Sequence, residues 1–400
     1  MEEKEEKDVF DRALEELWLR KERILNGEIN CVPLPFPRLK MWFPGIEKRR
    51  YGVITANQKI GKSKLVDFMY VYEPFFYMLE HPDQLRLKVL YFTLEMGKKE
   101  KFYEFLCHLL FRLDGIRIDP TNLKSTSADN PVPDEILELL VSDKYQEYIK
   151  RFKETVTFID DERNPTGINK YCRSFALNRG KFHFKKVTRR NEEGVLEDRE
   201  IVDYYEPNDP DEYVVVILDN YSNLAPESGM NKMQTIEKMS KYFITQRDQF
   251  DFCIIAVQHQ AQSQEGIENL KLNKLMPSSD GLADAKTTSR DINFLLGLFS
   301  PFKYGIREYE GYDITKFRNN IRFLQVLEDR DSGSGGQICP LFFDGAVNYF
   351  IELPLPNDAE GINKVTTYIN NLNKKKSNPV FLLFSKTKVN KIKSLIKKVF

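Results

Sequence analysis

Residues 51–67, YGVITANQKIGKSKLVD, join three local patterns in one short run. Val53, Ile54 and Thr55 are β-branched, as a buried strand favours, and from Leu65, Val66, Phe68 and Met69 onward helical spacing takes over. Between them Ala56, Asn57, Gln58, Lys59, Ile60, Gly61, Lys62 and Ser63 have the form of a phosphate-binding loop, with Ala where the first Gly usually stands. In this order of parts the loop N–H groups and the following helix N-terminus face anionic phosphates. Lys62 reaches the β/γ-phosphates and the Ser63 hydroxyl ligates Mg²⁺. The expected ligands are ATP or another NTP, with Mg²⁺.

The strands that such a loop requires lie further along the chain. Lys88–Leu94 reads as a second strand, ended by Glu95-Met96-Gly97, and a carboxylate there lies on the edge where open α/β sheets bind ligands. Glu95 is thus either a helix-start acid or the group that orients the attacking water. Tyr213–Asp219, YVVVILD, is the clearest buried strand, and its terminal Asp219 suits a carboxylate that holds Mg²⁺ through its water shell. Phe252–Val257 is another buried strand, ending in Gln258-His259-Gln260, where Gln258 or Gln260 is placed to sense the γ-phosphate. A helix over 98–113, a helix over 133–153, a third strand at 155–161 and a helix over 233–250 fill the intervals. Strands near 292–299, 322–327 and 340–343 complete the series, the last two flanking a Gly-rich hairpin tip that carries Arg330.

The flanks differ in character. Residues 1–28 form a charged amphipathic docking helix with Phe10, Leu14, Leu17, Trp18 and Ile24 at helical spacing, suited to packing on its own domain or on a neighbouring subunit. Residues 29–44, with four prolines, are expected to lack regular secondary structure and to form an ordered connector whose Phe36, Trp42 and Phe43 cover the core or the nucleotide base. The alternating run 180–210 reads as a β-hairpin whose Lys181, Lys185, Lys186, Arg189 and Arg190 form either a solvated face or a phosphate-backbone contact. Residues 356–400 read as a basic tail, with ten lysines and no acid after Glu360.

Composition narrows the function classes. With 60 Lys+Arg against 60 Asp+Glu, nucleic-acid affinity has to come from local patches. The acidic start MEEKEEKD is unlike a signal peptide, and no apolar run is long enough to span a bilayer, so a cytoplasmic protein with no membrane partner is expected. Five widely spaced cysteines fit a reducing compartment, and with four histidines they assemble no zinc-ligand spacing.

The succession TANQKIGKSKL, VLYFTLEM, VVVILDNYSNL, IIAVQHQ, MPSSDGLADAKTTSRDINF and FLQVLEDRDSGSGGQ resembles the RecA-like motor domain of DnaB-type replicative DNA helicases over residues 30–352. The resemblance implies an α/β RecA-like P-loop NTPase core, a mostly parallel sheet with flanking helices and C-terminal β-hairpins, over residues 29–355. It implies an ATP-hydrolysing, ring-forming helicase, a hexamer by family precedent, translocating on single-stranded DNA. By matching motifs, Lys62 and Ser63 bind phosphate and Mg²⁺, Glu95 is the catalytic carboxylate, Asp219 the Mg²⁺ aspartate, Gln258 the phosphate sensor and Arg330 a finger acting in trans. A primase or helicase loader is the partner implied, and a cytoplasmic setting, that of the host if the protein is viral. Glu328 stands where the family usually has Lys, the loop around Asp280 lacks the family's arginine, and the hairpin at 180–210 looks like an insertion. The family's separate N-terminal primase-binding domain is not expected, since about 50 residues precede the loop. A RecA/RadA-type recombination ATPase and a nucleotide-gated DNA-binding scaffold with weak hydrolysis are the alternative readings.

Overall fold

The computed structural model describes residues 9–190, 194–272, 274–333 and 335–375. One sheet of nine strands organises them: β1 (Arg50–Ala56), β2 (Arg86–Thr93), β3 (Val156–Ile159), β4 (Glu212–Asp219), β5 (Cys253–His259), β6 (Phe294–Phe299), β7 (Ile321–Asp329), β8 (Ile338–Asp344) and β9 (Tyr349–Glu352). Their spatial order is β9-β8-β7-β6-β1-β5-β4-β2-β3. The six strands from β6 to β3 run parallel, and β7, β8 and β9 continue the sheet as an antiparallel meander. This is the mostly parallel α/β sheet with C-terminal hairpins that the motif order implies.

Both faces are covered, which is why the parallel strands read as continuous apolar runs rather than alternating ones. Along β1, Ile54 and Ala56 face one core and Tyr51 and Val53 the other. The first core is closed by α2 (Lys98–Asp114) and by the helix that follows the phosphate loop. The second is closed by α3 (Pro165–Leu177) and α4 (Lys232–Phe250). The start of α4 is fixed by a capping box, Asn231 accepting from the Gln234 N–H while the Gln234 side chain accepts from the Asn231 N–H. Gly52 in β1 is required by close approach, since a Cβ there would sit 2.0 Å from the Phe294 ring.

Several expectations change. The proline-rich segment has regular structure: Val32–Pro33 pairs with Gly45–Ile46, and Pro37–Trp42 is a helix. Pro37 sits at the first helical position, where its missing N–H costs nothing, so proline here starts structure rather than preventing it. Phe36 and Phe43 are buried in the first core, as their covering role requires. The helix expected over 133–153 is two, Asp134–Val141 and Asp143–Thr155, broken at Ser142, whose backbone is extended. The residues from 359 onward begin not as a tail but as α5 (Ala359–Lys375), with Ile369 buried and Tyr368 against Phe342 at 5.7 Å. Residues 376–400, which hold most of the lysine-rich segment, lie outside the described residues, as do residues 1–8.

The hairpin forms as read, Gly180–Arg190 against Leu196–Pro207. Its basic arm lies opposite an acidic one, with Lys181 facing Glu206, Lys186 facing Glu200 and Arg189 facing Glu197. Cross-strand opposite charges stabilise a solvated ribbon, which favours that reading of the basic cluster. The ribbon is rooted by Tyr205, whose hydroxyl donates to the Ala176 carbonyl at 3.0 Å, and by Phe182 against Phe250.

The helix α1 (Val9–Leu25) is attached by its polar side. Arg12 pairs with Asp203, Arg20 with Glu47, Arg23 with Asp211, and Glu16 with Arg49. Consequently Phe10, Leu14, Leu17, Trp18 and Ile24 all stand exposed on the side away from these pairs, Trp18 at 69%. No helix of the described residues is long and apolar enough to cross a membrane.

Candidate nucleotide-binding and catalytic site

The loop residues Asn57–Gly61 connect β1 to the helix that starts at Lys62–Val66, continues as a π-helical turn Asp67–Tyr72 and ends as Glu73–Glu80. Gly61 has φ 103°, a conformation that side-chain-bearing residues rarely adopt, and no side chain caps the helix that it opens. The helix N-terminus therefore remains available to an anion. Behind the loop, Arg322 is buried and donates to the Ile60 carbonyl at 2.7 Å, with its guanidinium over the Phe343 ring. Burial lowers its pKa to about 10. Asn57 is also buried, donating to the Tyr304 hydroxyl at 2.6 Å.

The functional side chains meet at the C-terminal ends of β1, β2, β4 and β5. Lys62 is buried, donates to the Asn57 carbonyl at 3.2 Å, and makes no ion pair among the described residues. Its desolvation lowers the ammonium pKa to about 8, against the pull of Asp219 and Glu95. Ser63 Oγ donates to Asp219 Oδ1 at 3.1 Å, which brings the two expected Mg²⁺ residues together. Glu95, exposed just beyond β2, accepts from Asn220 Nδ2 at 2.5 Å.

Asn220 also lies 3.2 Å from His259 Nε2, so it bridges Glu95 to the end of β5. With Asn220 as donor, His259 carries its proton on Nδ1. Burial lowers the His259 pKa to about 4, so the ring is neutral near pH 7. Asn220 Oδ1 and His259 Nδ1 are both buried without a hydrogen-bond partner among the described residues. Beside them an open cleft of about 500 Å³ runs between Gln58, Ser222, Lys232, His259, Gln262 and Asp284.

The two glutamines are engaged elsewhere. Gln258 donates to the carbonyls of Ala283 and Ala285 and accepts from Thr288 Oγ1 at 2.8 Å. Gln260 donates to Thr55 Oγ1 and to the Ser278 carbonyl. Together they fix the segment 278–288, and the side chain that the strand end delivers to the cluster is His259. Strand alternation could have signalled this, since neighbours in Gln258-His259-Gln260 point to opposite sides.

Arg330 stands at the opposite edge. Its N–H donates to the Asn293 carbonyl at 2.9 Å and its guanidinium to the Arg290 carbonyl, so it is pinned beside β6 rather than carried on a free tip. The register pairs Asp329 with Phe294 and Phe294 with Gly52, which places Arg330 level with the start of β1. At ~3.3 Å per residue, the length of β1 separates it from the phosphate loop by roughly 20 Å. Arg330 is not brought to this chain's own Lys62.

The residues present fit a nucleotide with Mg²⁺. A buried ammonium with no ion pair among the described residues, an uncapped helix N-terminus, a hydroxyl beside a carboxylate, and two polar atoms next to the cleft with no hydrogen-bond partner among those residues are what a triphosphate, its metal and an attacking water would satisfy.

No protein-family model and no curated protein sequence matches the chain. Solved structures do. A DnaB-like replicative helicase, solved with its interactions with primase, superposes with TM-score 0.59 at 17% identity, over 87% of this chain and 68% of that one. A second structure, solved as an isolated ATPase domain, superposes with TM-score 0.60 at 16% identity, over 87% of this chain and 100% of the other. The chain has the fold of a DnaB-like helicase ATPase domain. At these identities the likeness establishes the fold alone, and the roles of individual residues rest on the geometry above.

Proposed function

We propose that the protein is an ATP-hydrolysing DNA helicase motor of DnaB type, which assembles as a ring and moves along single-stranded DNA. The observation that carries this reading is the meeting of Lys62, Ser63, Asp219 and Glu95 at one sheet edge while Arg330 lies at the other. Lys62 and the loop N–H groups bind the β/γ-phosphates. Ser63 and Asp219 would hold Mg²⁺, which when bound would neutralise charge on those phosphates. Glu95 orients and deprotonates the attacking water, and Asn220 holds its carboxylate. His259 takes the sensor position that motif matching gives to Gln258, while Gln258 acts on the same strand end through the 283–288 segment. Arg330 then completes the site of a neighbouring subunit, and the outward apolar side of α1 is the surface on which such a neighbour docks. The likeness to a helicase solved with primase makes a primase or loader the partner to look for. The test is a forked-DNA unwinding assay with ATP and Mg²⁺, run beside imaging of the assembled particles. Unwinding by wild type and none by Lys62→Ala is expected; wild-type ATPase without unwinding in rings would overturn the helicase reading.

A further inference from the structure

Behind Asp219 lies a buried polar cluster that neither the phosphate loop nor Glu95 requires. The two oxygens of Asp219 face different partners. Oδ1 accepts from Ser63, whereas Oδ2 accepts from the Tyr91 hydroxyl at 3.1 Å and lies 3.6 Å from Lys101 Nζ. Lys101, on α2, is 1% exposed, and its ammonium is held by Asp67 Oδ1 and Oδ2 at 3.0 and 2.9 Å and by the Tyr91 oxygen at 3.0 Å. Glu104 lies 3.9 Å away and is itself paired with Lys64 at 2.9 Å. Asp67 comes from the π-helical turn that follows the phosphate-loop helix, and also accepts from Asn348 at 3.3 Å.

Such a cluster contributes little as stabilisation, because well-packed apolar residues of the same volume generally serve as well or better. Its effect is directional. A carboxylate turns easily about its last torsion, but the Tyr91 hydroxyl bonded to Oδ2 and the Lys101 ammonium 3.6 Å from the same oxygen hold its plane and leave Oδ1 beside Ser63. Three carboxylates, Asp67, Glu104 and Asp219, face two ammonium groups, Lys64 and Lys101, so one negative charge remains.

We propose that Lys101 and Tyr91 are positioning residues that lock the Asp219 carboxylate so that Oδ1 is presented to Mg²⁺ beside Ser63. The proposal rests on the reading of Ser63 and Asp219 as the Mg²⁺ site. It implies that α2, which begins just after Glu95, and the phosphate-loop helix are tied to the metal carboxylate through one ammonium group.

The test is the Mg²⁺ concentration needed for half-maximal binding of a fluorescent, non-hydrolysable ATP analogue to the full chain, with affinity in EDTA measured alongside. Removing Lys101 alone would leave Asp67 buried and uncompensated, so the informative variants keep the charge constant: Lys101→Met combined with Asp67→Asn, and Tyr91→Phe. Affinity in EDTA should stay within about twofold of wild type. The Mg²⁺ requirement should rise by about tenfold or more for the double variant, as outer partners of metal ligands usually show, and by about threefold for Tyr91→Phe. Should the double variant fail to fold, Tyr91→Phe, which keeps the ring, decides alone. An unchanged or lower Mg²⁺ requirement in a folded variant, with Asp219→Asn raising it, overturns the positioning role while leaving the metal site standing. Wild-type binding that is indifferent to Mg²⁺, or an Asp219→Asn variant with the wild-type requirement, overturns the metal reading itself and the proposal with it.

Discussion

The two edges of the sheet are built on opposite terms. At the C-terminal edge, four strand ends deliver Lys62, Glu95, Asp219 and His259 within one chain, and they hold one another through Ser63 and Asn220. That edge gathers an ammonium with no ion pair, and two buried polar atoms with no hydrogen-bond partner, among the described residues. At the other edge, Arg330 is exposed and pinned roughly 20 Å from the loop, and α1 turns Phe10, Leu14, Leu17, Trp18 and Ile24 outward while Arg12, Glu16, Arg20 and Arg23 are joined to the domain. Under the proposed function, that edge is where a second subunit docks. On the same reading, the first edge is a nucleotide site built within one chain and the second is the part of the catalytic apparatus that serves a neighbour.

Removing Arg330 puts this contrast under the greatest strain. If it serves a neighbour, Arg330→Ala should bind ATP normally and hydrolyse it about 10³-fold or more slowly, the usual range for a finger. Mixing it with Lys62→Ala protein, itself inactive because its methyl cannot meet the phosphate charge, should restore some turnover. At some interfaces an intact loop would then meet an intact arginine. No recovery despite proven subunit exchange removes the trans assignment, and full activity of Arg330→Ala alone removes the finger.

Glu95→Gln attacks the other edge. Water activation lost from an otherwise intact site should lower hydrolysis by about 10²-fold while nucleotide affinity is retained. If ATP binding is lost instead, Glu95 is a structural partner of Asn220. A smaller effect is expected from α1: Leu17→Glu with Trp18→Glu should weaken self-association by about 30-fold, the scale of a single interface hot spot. Unchanged particle size on sizing chromatography would show that this side of the helix is not the docking surface.

How legible each edge was in the sequence follows the same division. The nucleotide edge was largely readable because each part has a local pattern: β-branched strand, glycine turn, helix, and acids closing the apolar runs at Glu95 and Asp219. What escaped were contacts between distant segments. Asn220 follows Asp219 and had no motif of its own, yet it joins β4 to both Glu95 and β5. Lys101 and Asp67 did leave a trace, as opposite charges on otherwise apolar helix faces, but only the packing of α2 on the loop helix shows that they pair. Which of Gln258, His259 and Gln260 faces the cluster was not readable, because period-two alternation has no absolute phase until a neighbouring strand supplies it: both glutamines turn to the 278–288 segment and His259 to Asn220. The proline-rich entry was misread because proline opens helices as well as ending them, and Pro37 does the former.

The smallest expected effect bears on whether the nucleotide edge is complete within one subunit. Desolvation lowers the Lys62 pKa to about 8 without ligand, and bound phosphates, being anionic, must raise it again. Above about pH 8 the free protein therefore has to take up a proton in order to bind. Affinity should be nearly flat between pH 7 and 7.5 and fall by roughly tenfold by pH 9, a tenfold change per unit being the limit for one linked proton. The nucleotide's own phosphates, with a second pKa near 6, are ionised throughout that range and do not contribute to the slope. Isothermal titration in two buffers of different ionisation enthalpy would count the proton directly. Lys62→Met should bind weakly with no slope above pH 8, and a slope surviving in that variant would assign the proton to another group. The Leu17→Glu, Trp18→Glu protein should keep the full slope, since every residue that sets it lies at one sheet edge of a single chain. Loss of the slope on dissociation would mean that the neighbour shapes the loop as well as the chemistry, and the two edges would no longer be separable.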